Sequence, residues 1–213
     1  MKRKSVLRAL ALLLCSGLLL ACFAGCGKGE ASGSEGTTEQ MNAGSGKHEL
    51  VRFEVEHAGE KVGSFTIELY PEHAPISCEN FLKLVRSGFY EGKTFHRVVD
   101  GFMAQGGASE NGQVETIKGE FSENGVNNEL SHTRGVVSMA RSNDPDSGST
   151  QFFICYSDDY AGTLDGRYAA FGKVIEGMET IDKFTTFDRS YNGMGERATP
   201  VEDIVITSAA VVE

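Results

Sequence analysis

The chain has 213 residues, 40% apolar and 23% charged, which is enough for one globular domain with extensions and a sizeable core. Its formal net charge is -10, from 20 Lys and Arg against 30 Asp and Glu, and no basic stripe interrupts that excess. Binding to a phosphate backbone needs a basic footprint, so nucleic acid is excluded as the main partner.

The first residues read as an address. Met1 to Arg8 is basic, Ala9 to Phe23 is almost wholly apolar, and small residues then lead to cysteine. That is the three-part layout of a secretory signal over residues 1–25, and its apolar run is shorter than the ~20 residues of a spanning helix. Two tetrapeptides, LLAC ending at Cys22 and FAGC ending at Cys26, resemble the lipobox of bacterial lipoproteins. In such signals the cysteine thiol takes a lipid and becomes the new N-terminus. Cys26 is the favoured anchor, because a polar tether starts directly after it, with Cys22 next; an unanchored secreted protein is the alternative. Removal of residues 1–25 takes away Lys2, Arg3, Lys4 and Arg8 and moves the net charge to -14. Residues 26–47 are rich in Gly, Ser, Thr and Glu and have little to bury, so they form a flexible tether with a reach of roughly 25 Å. The implied location is outside the cytoplasm, lipid-anchored to a bacterial cell membrane.

From residue 48 the pattern changes to that of a folded domain running to 213. Val51, Phe53 and Val55 alternate with polar neighbours, as do Phe65, Ile67 and Leu69, and Gly59 between them marks an antiparallel hairpin. Pro75 suits the first turn of a helix to about Ser87, with Phe81, Leu82, Leu84 and Val85 as its apolar stripe and Gly88 as its stop. In FHRVVDGFMAQGG, Phe95 to Gly107, a strand runs into the Asp100-Gly101 turn and a second strand follows from Phe102 to Gln105. That hairpin places Arg97, Phe102 and Gln105 on or beside one face. Ala108 to His132 and Ser142 to Thr150 are poor in periodicity and read as surface loops. Further strands are expected at 136–140, 151–155, 169–174 and 203–209, with a second short helix from Met178 to Phe184. Many short strands with few helices point to a sandwich or a closed barrel.

Four runs, FHRVVDGFMAQGG, VVSMAR from Val136, STQFFIC from Ser149 and LDGRYAAFGKV from Leu164, are similar in content and order to the signature segments of the cyclophilins. That family consists of peptidyl-prolyl cis/trans isomerases, and the similarity covers roughly Glu49 to the C-terminus. It implies a mainly β fold, a closed eight-stranded antiparallel β-barrel capped by two helices. It also implies an enzyme that needs no cofactor or metal and acts on proline-containing, unfolded or partly folded exported proteins. Phe102, Met103, Phe153 and Leu164 match positions lining the proline slot, Gln105 matches the amide that contacts the substrate backbone, and Ala140 matches a small residue that leaves room for the substrate chain. Arg141 stands where well-known members have asparagine, and Tyr168 where many have histidine. Thr163 stands where many eukaryotic members have tryptophan, a donor used to grip cyclosporin, so weak cyclosporin binding is expected.

Chemistry singles out Arg97. As an X-Pro amide twists, its nitrogen regains a basic lone pair, and a donor aimed at that atom binds the twisted state better than either planar one. Guanidinium stays charged at any working pH and carries its donors in a fixed fork. The competing reading of Arg97 is a structural salt bridge. His96 is set aside as a base, because isomerisation moves no proton. The five histidines show no metal-ligand spacing, and Gly106-Gly107 lacks the context of a phosphate loop. Cys78 and Cys155 lie in the domain, and their pairing stays open. The alternative function is a proline-directed binding module or chaperone with incidental turnover.

Overall fold

Alternation decides the first hairpin. Strand β1 (Leu50–His57) turns Val51, Phe53 and Val55 inward, and β2 (Glu60–Leu69) does the same with Phe65, Ile67 and Leu69. They are joined by Ala58 and Gly59, both at positive φ (51° and 78°), the conformation that matches a two-residue hairpin loop to strand twist. The computed structural model describes residues 48–110 and 114–213. The leader, the cysteines at 22 and 26, and the tether lie outside the described residues.

Six more strands complete the sheet: β3 (Phe95–Val99), β4 (Met103–Gly106), β5 (Val136–Met139), β6 (Phe152–Cys155), β7 (Ala170–Glu176) and β10 (Ile204–Val212). Every pairing is antiparallel, in the order β10-β1-β2-β7-β5-β6-β4-β3. The two edges meet through a Thr94–Val205 bridge, and Gly92 and Ile206 donate 2.8 Å backbone bonds to Ile206 and Lys93. Closure leaves neither edge open. A separate ribbon of β8 (Arg189–Tyr191) and β9 (Arg197–Pro200) interrupts the chain before β10.

Helix α1 (Pro75–Arg86) puts Phe81 against Phe53, Tyr90, Phe152 and Phe171 at centroid distances of 5.0–6.1 Å. Full burial of each such ring contributes about 1.5–3 kcal/mol. Gly88, at φ 71°, ends the helix, with Phe89 N–H returning to Leu84 O at 3.0 Å. Helix α2 (Met178–Asp182) and the 3-10 turn Lys183–Thr186 bring Ile181 and Phe184 into the core, where Phe184 packs on Phe95 at 5.0 Å. The second expected helix thus splits into two short pieces.

Over the described residues 108–110 and 114–132 the chain is irregular, as expected, yet it is not only surface. Ala74 at the start of α1 has no side-chain oxygen to cap the helix. Glu120, 2% exposed, takes that role from afar: its carboxylate accepts from Ile76 N (2.9 Å), Ser77 N (2.7 Å) and Ser77 Oγ (2.7 Å). A carboxylate on the unpaired N–H groups of a helix start satisfies both the donors and the helix dipole.

Candidate active site

The site is the outer face of strands whose inner face is core. On β4, Ala104 and Gly106 point inward while Met103 and Gln105 point outward; on β6, Phe152 and Ile154 point inward while Phe153 and Cys155 point outward. Met103, Phe153, Cys155 and Leu164 form a second small apolar cluster, flanked by Val99, Phe102, Ala140 and Tyr168.

Arg97 reaches this face because β3 is irregular. Phe95 pairs with Gly106 and Arg97 with Gln105, so His96 is an extra residue on its strand. In an unbroken strand Arg97 would share the inward face of Phe95. The bulge reverses that parity, sending Arg97 outward beside Gln105 and returning Val98 to the core. His96 Nδ1 is buried with no hydrogen-bond partner among the described residues, and burial holds the ring's pKa below its ordinary value.

Two edges of the Arg97 guanidinium are engaged differently. Nε and Nη2 donate to Glu196 Oε2 and Oε1 at 2.9 and 2.7 Å, while Nη1 turns to Gln105 Oε1 at 3.3 Å and lies 4.0 Å from Met103 Sδ. The salt bridge and the pocket-facing donor therefore coexist in one side chain. The bond from Arg97, with a second from Asn192, pulls the Glu196 carboxyl from 4.5 down to about 2. Gln105 passes its amide on to Gln151 Oε1 at 2.9 Å, so both ends of that side chain are held.

The nine residues Arg97, Phe102, Met103, Gln105, Ala140, Arg141, Phe153, Leu164 and Tyr168 line one shallow pocket of about 120 Å³. Its polar wall includes Arg97 and Gln105, the latter bonded to Gln151; its apolar wall centres on Phe153. Tyr168 meets Phe153 edge-on at 5.7 Å, and His132 lies behind it at 6.0 Å, nearly parallel. Arg141 lies over the rings of Tyr168 (4.7 Å) and Phe121 (5.0 Å), with its Nε on the Arg167 carbonyl.

The domain matches the family model described as cyclophilin type peptidyl-prolyl cis-trans isomerase/CLD over residues 50–211. This chain belongs to the cyclophilin family. It is 40% identical over 153 residues to a peptidyl-prolyl cis-trans isomerase of Acinetobacter baylyi, covering 70% of this chain and 81% of that protein. Identity to peptidyl-prolyl cis-trans isomerase B of Escherichia coli is 36% over 170 residues, 77% of this chain and all of the relative. A crystal structure of a Cryptosporidium parvum cyclophilin superposes with a TM-score of 0.63 at 28% identity, covering 78% of this chain and 98% of that one. The same protein solved in the presence of the dipeptide Ala-Pro gives 0.62 at 29% identity over 77% of this chain and 99% of that one. The activity of this cyclophilin is peptidyl-prolyl cis-trans isomerisation.

The cyclophilin pocket also rests on residues that sequence reasoning did not single out. Glu196 is 99 positions from Arg97 in a stretch without apolar rhythm, so nothing local announced it. Gln151 was reachable: it alternates with Phe153 and Cys155 and so shares their outward face. Behind the apolar wall, His132 Nδ1 donates to Asp165 Oδ1 (2.7 Å) and Nε2 accepts from Ser138 Oγ (2.9 Å). The order Asp, His, Ser copies that of a hydrolytic triad. Ser138 and His132 are 0% and 1% exposed, so no substrate reaches that hydroxyl, and the chain meets the pocket through the His132 ring stacked on Phe153. Burial lowers the His132 pKa against the pull of Asp165. Burial would raise Asp165, yet bonds from Ser131 and His132 keep it below the ordinary carboxylate value. Cys78 and Cys155 are free thiols, each pushed by burial to about 12 and hence unreactive at neutral pH.

Proposed function

We propose that the pocket takes the proline ring of a client and that Arg97 Nη1 donates to the prolyl nitrogen as the X-Pro amide twists. The observation that carries this reading is the orientation of Nη1, turned into the pocket while the rest of the guanidinium is held outside it. Phe102, Met103, Phe153 and Leu164 supply the apolar slot, Gln105 the amide for the client backbone, and Ala140 the clearance. The amide barrier is about 18–20 kcal/mol. A thousandfold acceleration asks for roughly 4 kcal/mol, within reach of one charged hydrogen bond, worth about 1.5–3 kcal/mol, plus orientation.

Proline-containing peptides as substrates draw support from the relative solved with Ala-Pro. The leader and tether support an exported enzyme that assists folding of exported proteins, anchored to the membrane through lipid on Cys26 or, failing that, Cys22. Mass spectrometry of the mature N-terminus tests the anchor: a diacylglyceryl mass on Cys26 is expected, and an unmodified cleaved chain overturns it. For the site, cis/trans exchange of an X-Pro peptide panel is measured with wild type and Arg97→Ala. Loss of acceleration by about a hundredfold or more, ~2.7 kcal/mol, is expected, with peptide affinity within several-fold. Undiminished acceleration contradicts the reading, whereas a protein that only docks proline segments would bind the peptide equally well with and without Arg97 and accelerate its exchange in neither case.

A further inference from the structure

A guanidinium at the end of a four-torsion side chain does not aim itself. Among the described residues the pocket offers Arg97 the Gln105 carbonyl at 3.3 Å, a distant thioether and the Phe102 ring, 5.7 Å from Cζ, and none of these holds the fork by paired hydrogen bonds. Glu196 does so, with two parallel bonds of 2.9 and 2.7 Å to Nε and Nη2. The carboxylate is itself held. Asn192 Nδ2 donates to Glu196 Oε2 (2.8 Å), and Asn192 Oδ1 accepts from the backbone N–H groups of Met194 (2.9 Å) and Glu196 (3.0 Å). At the base of the same ribbon the buried Arg189 grips β3 through Val98 O (3.0 Å) and Asp100 Oδ2 (3.0 Å). The β8–β9 ribbon is thus tied at two points to β3 and the turn that follows it, at Arg97 and at Val98 and Asp100.

We propose that Glu196 is a positioning residue for prolyl isomerisation, gripping the Nε–Nη2 edge of Arg97 so that only Nη1 addresses the substrate. This rests on the role given to Arg97 above. The carboxylate also reduces the positive potential over the pocket, which works against it as a catalytic aid. A fixed fork delivers its donor in one direction, and that gain in aim outweighs the loss in field.

The test measures kcat and KM for one X-Pro peptide, with melting temperature as a control, on Glu196→Ala, Glu196→Gln, Arg97→Ala, Arg97→Lys and the Arg97→Lys/Glu196→Ala pair. Glu196→Ala is expected to lower kcat about tenfold, ~1.4 kcal/mol, with KM changed less than about twofold. Glu196→Gln falls between, since its amide oxygen accepts one of the two bonds. In the Arg97→Lys background, removing Glu196 costs little more, because an ammonium cannot be held as a fork. An unchanged or raised kcat in Glu196→Ala overturns the proposal, as does an equal loss with and without the guanidinium. If Arg97→Ala keeps wild-type kcat, the role of Arg97 itself fails. If Arg97→Ala is inactive and Glu196→Ala keeps wild-type kcat, only the role of Glu196 fails.

Discussion

Phe152 and Phe153 are neighbours on one strand with opposite duties. Phe152 faces inward, fully buried among Phe53, Phe81, Tyr90 and Phe95. Phe153 faces outward, 5% exposed, between His132 and Tyr168 at the back of the pocket. Burial alone does not separate them. What does is the surroundings: one ring is enclosed by apolar groups on every side, whereas the other is backed by a hydrogen-bonded polar chain and faces an opening. A β-barrel with a second layer on one flank can therefore hold a site that looks like core in sequence and in burial.

Truncation breaks the comparison most sharply. Phe152→Ala is expected to cost about 3–5 kcal/mol of stability, a large share of the roughly 5–15 kcal/mol of an ordinary domain, and is read by denaturant titration. Phe153→Ala is expected to cost less, ~1–3 kcal/mol, while raising KM for X-Pro peptides about tenfold. Similar stability losses for the two would erase the distinction. A smaller effect belongs to the cap across the loop. Glu120→Ala leaves the N–H groups of Ile76 and Ser77 unpaired and is expected to cost about 1–3 kcal/mol, with isomerase kcat unchanged in the folded fraction.

The polar backing of Phe153 sharpens the contrast through pH. Burial makes His132 and His96 bind a proton more weakly in the folded chain than in the unfolded one. The unfolded state then holds more protons below about 6.5, so stability is full above that value and is lost as pH falls beneath it. Asp165, held low, adds its own loss only at still lower pH, as does Glu196, whose pairing persists until pH approaches about 2. Melting temperature is expected to fall between pH 7 and 5, with a shallower slope in His132→Asn; a flat profile contradicts this. The smallest expected signal is for cyclosporin: with Thr163 where an indole would serve as donor, inhibition is expected to be weak, and nanomolar inhibition contradicts that.

Much of the barrel was legible because strands that bury one face print a period of two. Val51, Phe53 and Val55 needed no structure to be placed, and α1 showed itself through Phe81, Val85 and the stop at Gly88. The pocket strands were legible from the resemblance of their runs to cyclophilins more than from their own pattern, since FFIC is apolar throughout and hides which face is which. The bulge at His96 left only a trace, the odd spacing between inward Phe95 and Val98. Glu196 and Glu120 left none. Their partners lie 99 and 43 or 44 positions away, and long-range polar pairing has no periodicity to betray it.

Exchange within the enzyme–peptide complex tests the central claim most directly. At saturating X-Pro peptide, NMR exchange spectroscopy reads the cis/trans rate of the bound molecule, separate from its affinity. With Arg97→Ala the account predicts that the bound population persists while its exchange slows by about a hundredfold or more, ~2.7 kcal/mol of lost stabilisation of the twisted amide. Bound peptide that still interconverts at the wild-type rate would contradict it.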